Sequence, residues 1–250
     1  MIDFSNKNIL VTGGSRGIGK EIAHLLADLG GSVVITGTKE IRLFEDNNIE
    51  YKKVDFTNEA ELNGFLEEIE KRNFDVVINN AAMNIKEDFL NISDDLYSNI
   101  MNVNLIAPIK IIQAVIEDMK KKKYGRIVNI SSLWSLYGAP RRAPYSISKH
   151  ALNGLTRSVV SEYSKYNILI NSLSPGFVLT DMTDKNLNVS QKTNIINSIP
   201  MGRMANPFEI SKAVSFLCSD FNSYITGQNI IIDGGMSACC MIMEQKNETI

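Results

Sequence analysis

Short runs of β-branched and apolar residues alternate along the chain with longer stretches in which apolar positions recur every three or four residues. The short runs cover residues 8–12, 32–36, 50–54, 75–78, 126–131, 169–174 and 230–232. Several are almost continuously apolar, as in Val76-Val77-Ile78 and Ile127-Val128. Strands of that kind have no face for water, so both sides must be covered. The helical patterns cover 17–29, 59–71, 94–122, 144–166, 190–198 and 207–219. Thr57-Asn58-Glu59 sets cap-type and acidic residues just ahead of one of them, as a helix start requires. Repeated strand–helix units predict an α/β fold, a Rossmann-type doubly wound parallel sheet of about seven strands flanked by helices. No repeat, linker or low-complexity stretch divides residues 1–250, so a single domain is expected.

Composition narrows the partners. Apolar residues make up 44%, charged residues 22%, and the formal net charge is −2, which supplies no basic surface for nucleic acid. The three cysteines, Cys218, Cys239 and Cys240, give no disulfide framework. His24 and His150 lack further ligands at metal-binding spacing. Residues 1–8 show no leader, and the apolar runs read as short of the ~20 residues of a membrane span. Lys120-Lys121-Lys122-Lys123 reads as a solvated helix end whose cations suit the negative dipole terminus. The expectation is a cytoplasmic protein acting on a small molecule, with no metal, nucleic acid or membrane.

Chemistry enters at the first strand–helix junction, Thr12-Gly13-Gly14-Ser15-Arg16-Gly17-Ile18-Gly19. A glycine-rich turn leading into a helix offers free backbone N–H groups and a positive dipole end to phosphates. NAD-selective sites place an acid at the end of the second strand, to hold the ribose 2′-hydroxyl. Here Gly37-Thr38-Lys39 precedes the first carboxylate, Glu40. Arg16, Thr38 and Lys39 suit a 2′-phosphate instead, which favours NADP(H) and leaves NAD(H) as the alternative. Tyr145 and Lys149 stand four apart and so share a helix face. An ammonium beside a phenol is expected to lower the phenol's pKa from about 10 and let it trade a proton with a carbonyl oxygen.

The motif T-G-x-x-x-G-x-G at residues 12–19, together with Tyr145-x-x-x-Lys149, resembles the short-chain dehydrogenase/reductase family. Ser132 lies thirteen residues before the tyrosine, at the place of the family's catalytic serine, with Ser131 expected to point to the opposite face. Asn104, in Asn102-Val103-Asn104, matches the segment that holds the family's asparagine, whose carbonyl would bind a water leading from Lys149 to solvent. An asparagine in mid-helix also suggests a local kink. The resemblance implies that Gly13, Ser15, Arg16, Gly17, Ile18, Gly19 and Thr38 meet the dinucleotide. It implies the same for Asp55 and Phe56 near the adenine, although Asp55 also reads as a helix-capping acid. Asn79-Asn80-Ala81-Ala82 is similar to the family's N-N-A-G, with Ala82 in place of glycine, and puts Asn80 and Ala81 beside the ribose. Pro175, Gly176, Val178 and Thr180 follow the family's P-G-x-x-x-T and would lie against the nicotinamide and pyrophosphate, with Tyr145 and Lys149 completing that wall. The last strand and its Asp233-Gly234-Gly235 also fit, so the likeness spans roughly residues 5–236.

The substrate is less legible. Ser132, Trp134, Tyr137, Arg141 and Arg142 are its candidate contacts, and residues 181–204 read as a polar lid. Two arginines beside a polar lid lean toward a keto-sugar or sugar nucleotide. The glycine loop and Pro200-Met201-Gly202-Arg203-Met204 are closest in pattern to 3-oxoacyl-acyl-carrier-protein reductases, for which Lys123 and Lys165 would be docking cations. A non-catalytic dinucleotide sensor on the same fold is the reading from another class. The resemblance further implies a homo-oligomer, tetramer or dimer, packed through the two longest helices. Residues 237–250 read as a frayed tail.

Overall fold

The computed structural model describes residues 1–40, 48–180, 183 and 187–239. Seven parallel strands form one sheet: β1 (Asn8–Val11), β2 (Ser32–Gly37), β3 (Ile49–Lys53), β4 (Val76–Asn79), β5 (Gly125–Ile130), β6 (Ile168–Pro175) and β7 (Asn229–Ile232). Their order in space is β3-β2-β1-β4-β5-β6-β7. Order reverses between β1 and β4, and at such a switch point the loops diverge and leave a crevice beyond the strand ends. Each expected strand is present, with ends shifted by a residue or two.

Alternate residues of one strand feed two separate cores. Ile9 and Val11 pack with Ile35, Val76 and Val128 beneath α1 (Gly17–Asp28). Leu10, between them, joins Val34, Val77, Ile127 and Ile170 on the other face. That face is covered by α2 (Glu59–Ile69), α4 (Ala107–Lys122) and α5 (Ala143–Tyr163), with α3 (Asp94–Met101) packed beside α5. Among the described residues α6 (Val189–Asn197) and α7 (Pro207–Cys218) follow, with α7 sharing the first core. Asn58 caps α2 by accepting from Ala60 and Glu61 N–H, the start that the cap residues indicated.

The helix expected over 94–122 is interrupted. Residues Asn102–Ile106 form a π-turn between α3 and α4, the local distortion anticipated at Asn104. Taken together, Asp94–Lys122 is a 29-residue helical stretch, long and apolar enough by composition to cross a membrane, contrary to the sequence reading. Its apolar side, Ile111, Val115 and Met119 among others, is buried against the sheet as in a core helix. Lys121, Lys122 and Lys123 are exposed at the helix end; Lys120 and Lys121 also pair with Glu117 and Asp118, Lys122 bonds Asp75, and Lys123 takes a left-handed conformation that stops α4. The region read as a lid is α6 and its surroundings from residue 187 on, with Ile199 and Met204 buried. Residues 181, 182 and 184–186 lie outside the described residues, as do Cys240 and the rest of the tail.

A polar string threads the sheet's centre. Asn79 Nδ2 donates to Asn129 Oδ1 at 2.8 Å, Asn129 Nδ2 to Thr156 Oγ1 at 2.9 Å, and Thr156 Oγ1 lies 2.7 Å from Ser172 Oγ. Buried hydrogen-bonding groups are costly when left unmatched. Asn129→Leu strips partners from both Asn79 and Thr156, and urea unfolding should show stability lower by about 2–4 kcal/mol. A loss below about 0.5 kcal/mol would mean that the string contributes nothing net.

Candidate active site

The glycine loop folds as the crevice requires. Gly13 has φ +65°, and a Cβ there would stand 2.8 Å from the Ala81 Cα. A Cβ on Gly19 would stand 2.3 Å from Asn80 Nδ2 and 2.4 Å from the Gly13 oxygen, so the loops after β1 and β4 meet with no room between them. Asn80 Nδ2 donates to the carbonyls of Thr12 and Gly13, and Thr12 Oγ1 accepts from Asn80 and Ala81 N–H. Asn79 instead ties β4 to β5, so the two asparagines divide the tasks of joining strands and joining loops.

The same loop fits a dinucleotide phosphate. Gly17, at φ +57°, would carry a Cβ 3.6 Å from Thr180 Cγ2, and its absence keeps the gap between loop and β6 end open. α1 has no side-chain cap and no acid in its first turn, whereas α2, α3, α6 and α7 are capped by Asn58, Ser93, Asn188 and Asn206. Its N–H groups are therefore free for an anion. Ser15 Oγ lies over Gly37, where a Cβ would come within 2.8 Å of it. Arg16, Thr38 and Lys39 are all exposed at this corner.

Other assigned residues sort by what their side chains touch. Asp55 Oδ1 accepts from Thr57 N–H and Oγ1, which shapes the turn into α2, while the capping task falls to Asn58. Phe56 does not face the crevice: its ring is buried in the core, 6.1 Å from that of Phe65, so only its backbone is available. Ile18 likewise packs against the core. Pro175 ends β6, and Gly176 presses against Asp233, where a Cβ would meet the Asp233 Cβ at 2.8 Å. The Val178 carbonyl accepts from Thr183 Oγ1 at 2.7 Å, and Thr180 Oγ1 lies 3.1 Å from that hydroxyl.

The catalytic candidates converge. Ser132 lies two residues past the end of β5 and accepts from Trp134 N–H, and its side chain hydrogen-bonds Tyr145. Tyr145 is 9% exposed and Lys149 2%. Lys149 Nζ donates to the Ile130 carbonyl at 2.7 Å and sits 5.7 Å from the centre of the Tyr145 ring. Burial raises the Tyr145 phenol above its ordinary value of 10.0, against the downward pull of the Ser132 hydrogen bond and the Arg142 charge. Burial also lowers Lys149 from 10.5 to about 7. The lowered phenol expected from the Tyr-x-x-x-Lys spacing is therefore corrected: both groups share one dry wall, which disfavours the charged form of each.

Asn104 braces this wall through its side chain. Its amide exchanges hydrogen bonds with the Met83 main chain at 2.7 and 3.0 Å and donates to Ser148 Oγ at 3.0 Å. Ser148 Oγ in turn bonds the Tyr145 carbonyl at 2.7 Å. Ser131 was expected to face away, yet its hydroxyl reaches the Lys149 carbonyl at 3.3 Å because α5 lies across the end of β5. Ser131 and Ser148 are supporting residues that the motif reading passed over. Serine three residues after Tyr145 was the available signal, since a hydroxyl on a helix can bond back to the preceding turn.

At the mouth, Trp134 meets Phe177 edge-on, with ring centres 6.2 Å apart; Phe177 was not singled out from sequence. Tyr137 donates to the Ser237 carbonyl. Arg141 has φ +61° and pairs with Asp88 at 3.1 Å, and Arg142 bonds Asn84 Oδ1.

The Lys149 shift has a signed consequence for stability. Below about pH 7 folded and unfolded chains both hold the proton, and the full cost of the buried charge applies. Between about 7 and 10.5 the unfolded chain binds more protons, so stability rises with pH. Relative to Lys149→Met, the protein alone should gain up to about 1.4 kcal/mol per pH unit above pH 7, read from urea unfolding at several pH values. A pH-independent difference would show an ordinary solvated lysine.

Known proteins resemble this chain in sequence and fold. A family model described as Enoyl-(Acyl carrier protein) reductase matches residues 13–237. The 3-oxoacyl-[acyl-carrier-protein] reductase FabG of Rickettsia typhi is 38% identical over 242 residues, covering 94% of this chain and 99% of that protein. A gluconate 5-dehydrogenase from Burkholderia cenocepacia J2315, in complex with NADP and tartrate, superposes with TM-score 0.87 at 28% identity, over 95% of this chain and 98% of that one. A 4-hydroxyisoleucine dehydrogenase complexed with NADH gives TM-score 0.88 at 31% identity, over 94% of this chain and 100% of that one. With the glycine loop, the serine, tyrosine and lysine of one buried wall, and this extent of likeness, the chain is an oxidoreductase that uses a nicotinamide dinucleotide and belongs to the short-chain dehydrogenase/reductase family.

Proposed function

We propose that the chain is an NADP(H)-dependent reductase of 3-oxoacyl thioesters, with Ser132, Tyr145 and Lys149 as catalytic residues and Asn104 as their brace. The observation that carries the substrate choice is the engagement of both mouth arginines. Arg141 is paired with Asp88, and Arg142 is held in place by the Asn84 amide while keeping its charge, so one of the two cations that favoured a sugar nucleotide or sugar acid is already matched. A mouth walled by Trp134 and Phe177 suits an apolar acyl chain better. The likeness to the Rickettsia typhi reductase supports the same choice. NADP(H) is supported by Thr38 in place of an acid, by exposed Arg16 and Lys39, and by the NADP in the Burkholderia structure.

The bound dinucleotide would supply the hydride. The glycine loop and the α1 N-terminus would hold its phosphates, with Thr180 across the gap and Asp55 on the adenine side. Ser132 Oγ would donate to the carbonyl oxygen and fix its position. The Tyr145 hydroxyl would pass its proton to that oxygen as negative charge builds there. A phenol kept neutral by burial is the form that donation needs. Lys149, close to half-protonated at neutral pH, would restore the proton, with the Asn104 carbonyl holding a water on the route to solvent. A homotetramer belongs to the same proposal, with Tyr97 on α3 and Ile147 on α5 exposed on the helices that would pack between subunits.

Purified protein should oxidise NADPH with acetoacetyl thioesters and far less with keto-sugars or small ketones. Tyr145→Phe should cost about 10²–10⁴-fold in kcat while NADPH fluorescence still reports binding. Turnover of keto-sugars without thioesters would overturn the substrate, and a Tyr145→Phe enzyme of full rate would overturn the catalytic assignment. NADPH binding with no turnover of any carbonyl would point to a sensor.

A further inference from the structure

The corner of the crevice beyond β2 and β3 holds an ion pair that the assignment of cofactor residues has not used. Glu40, the first carboxylate after β2, pairs through Oε1 with Lys53 Nζ at 3.1 Å. Lys53 is the last residue of β3 and lies in register with Gly37, the last residue of β2. It shares a strand face with Tyr51, two residues earlier. The Tyr51 hydroxyl donates to the Lys39 carbonyl and stands beside Gly37, where a Cβ would come within 2.9 Å of it. Tyr51 therefore holds the Lys39–Glu40 backbone over the end of β3, which brings Glu40 within reach of Lys53. Ser15, from the phosphate loop, touches the same Gly37.

An acidic side chain in this corner repels a 2′-phosphate and accepts from a 2′-hydroxyl. Left alone, Glu40 would work against Arg16, Thr38 and Lys39. We propose that Lys53 sets dinucleotide selectivity by neutralising Glu40, so that Lys53 is a positioning residue for the 2′-phosphate rather than a contact to it. The inference rests on the NADP(H) reading above. It adds a residue from β3, a strand that contributes nothing else to the assigned site. Both side chains are solvent-exposed, so the effect is that of a surface charge pair: modest and weakened by salt.

The test uses binding alone. Isothermal titration of 2′,5′-ADP and 5′-AMP compares the full-length protein with Lys53→Met, Glu40→Gln and the double variant at low salt. 5′-AMP lacks the 2′-phosphate and keeps the 2′-hydroxyl, so 5′-AMP affinity that is not weakened shows an intact fold and phosphate loop in each variant. Lys53→Met should lose about fivefold in its preference for 2′,5′-ADP, and adding Glu40→Gln should restore it. A Lys53→Met loss that Glu40→Gln does not restore would mean that Lys53 meets the phosphate directly, which overturns the neutralisation. An unchanged preference in Lys53→Met overturns the role of Lys53 altogether. Failure of the parent protein to prefer 2′,5′-ADP would instead sink the NADP(H) reading itself.

Discussion

Parallel strands whose successive side chains, such as Ile9, Leu10 and Val11, all lie in apolar cores leave only the strand ends in contact with water. Polar chemistry then has one place to collect, and the reversal of strand order between β1 and β4 opens it. The glycine loop, Asn80, Ser132 and Thr180 all lie just past the ends of strands. Helix α5 is the exception that completes the site, since it crosses the sheet and brings Tyr145 and Lys149 to the same edge.

Bringing a phenol and an amine into one dry wall makes each of them prefer its neutral form, and the surrounding bonds are arranged around that fact. Lys149 rests on a main-chain carbonyl rather than on a carboxylate, which would have stabilised its charge. Asn104 and Ser148 act on the backbone of α5, not on the reacting groups, so the catalytic turn is fixed without altering its proton affinities. The π-turn that seats Asn104 is the local departure from α-geometry through which this brace is built.

The fold was legible because strand and helix periods differ and the central strands are almost wholly buried; all seven strands lie where the apolar runs placed them. The motif residues were legible because glycine at positive φ and a Tyr–Lys pair at helical spacing leave marks in sequence. What escaped was set by distance in space. Nothing in the spacing of Tyr145 and Lys149 reveals that both are desolvated, so the direction of the phenol shift came out reversed. Arg141 and Arg142 read as free cations because their partners, Asp88 and Asn84, lie more than fifty residues earlier. Phe177 and Ser131 were missed for the same reason, each defined by a contact with a different element.

The contact between Tyr137 and the Ser237 carbonyl, reinforced by the Asp233 carboxylate accepting from Gly235 and Ser237 N–H, fastens the end of the described chain to the rim of the catalytic groove. Met1, by contrast, is fully exposed and leads into Asn8, which begins β1 at the far end of the sheet. Affinity handles and fusion partners therefore belong on the amino end, because cargo attached at the carboxyl end would load a tether that shapes the substrate entrance.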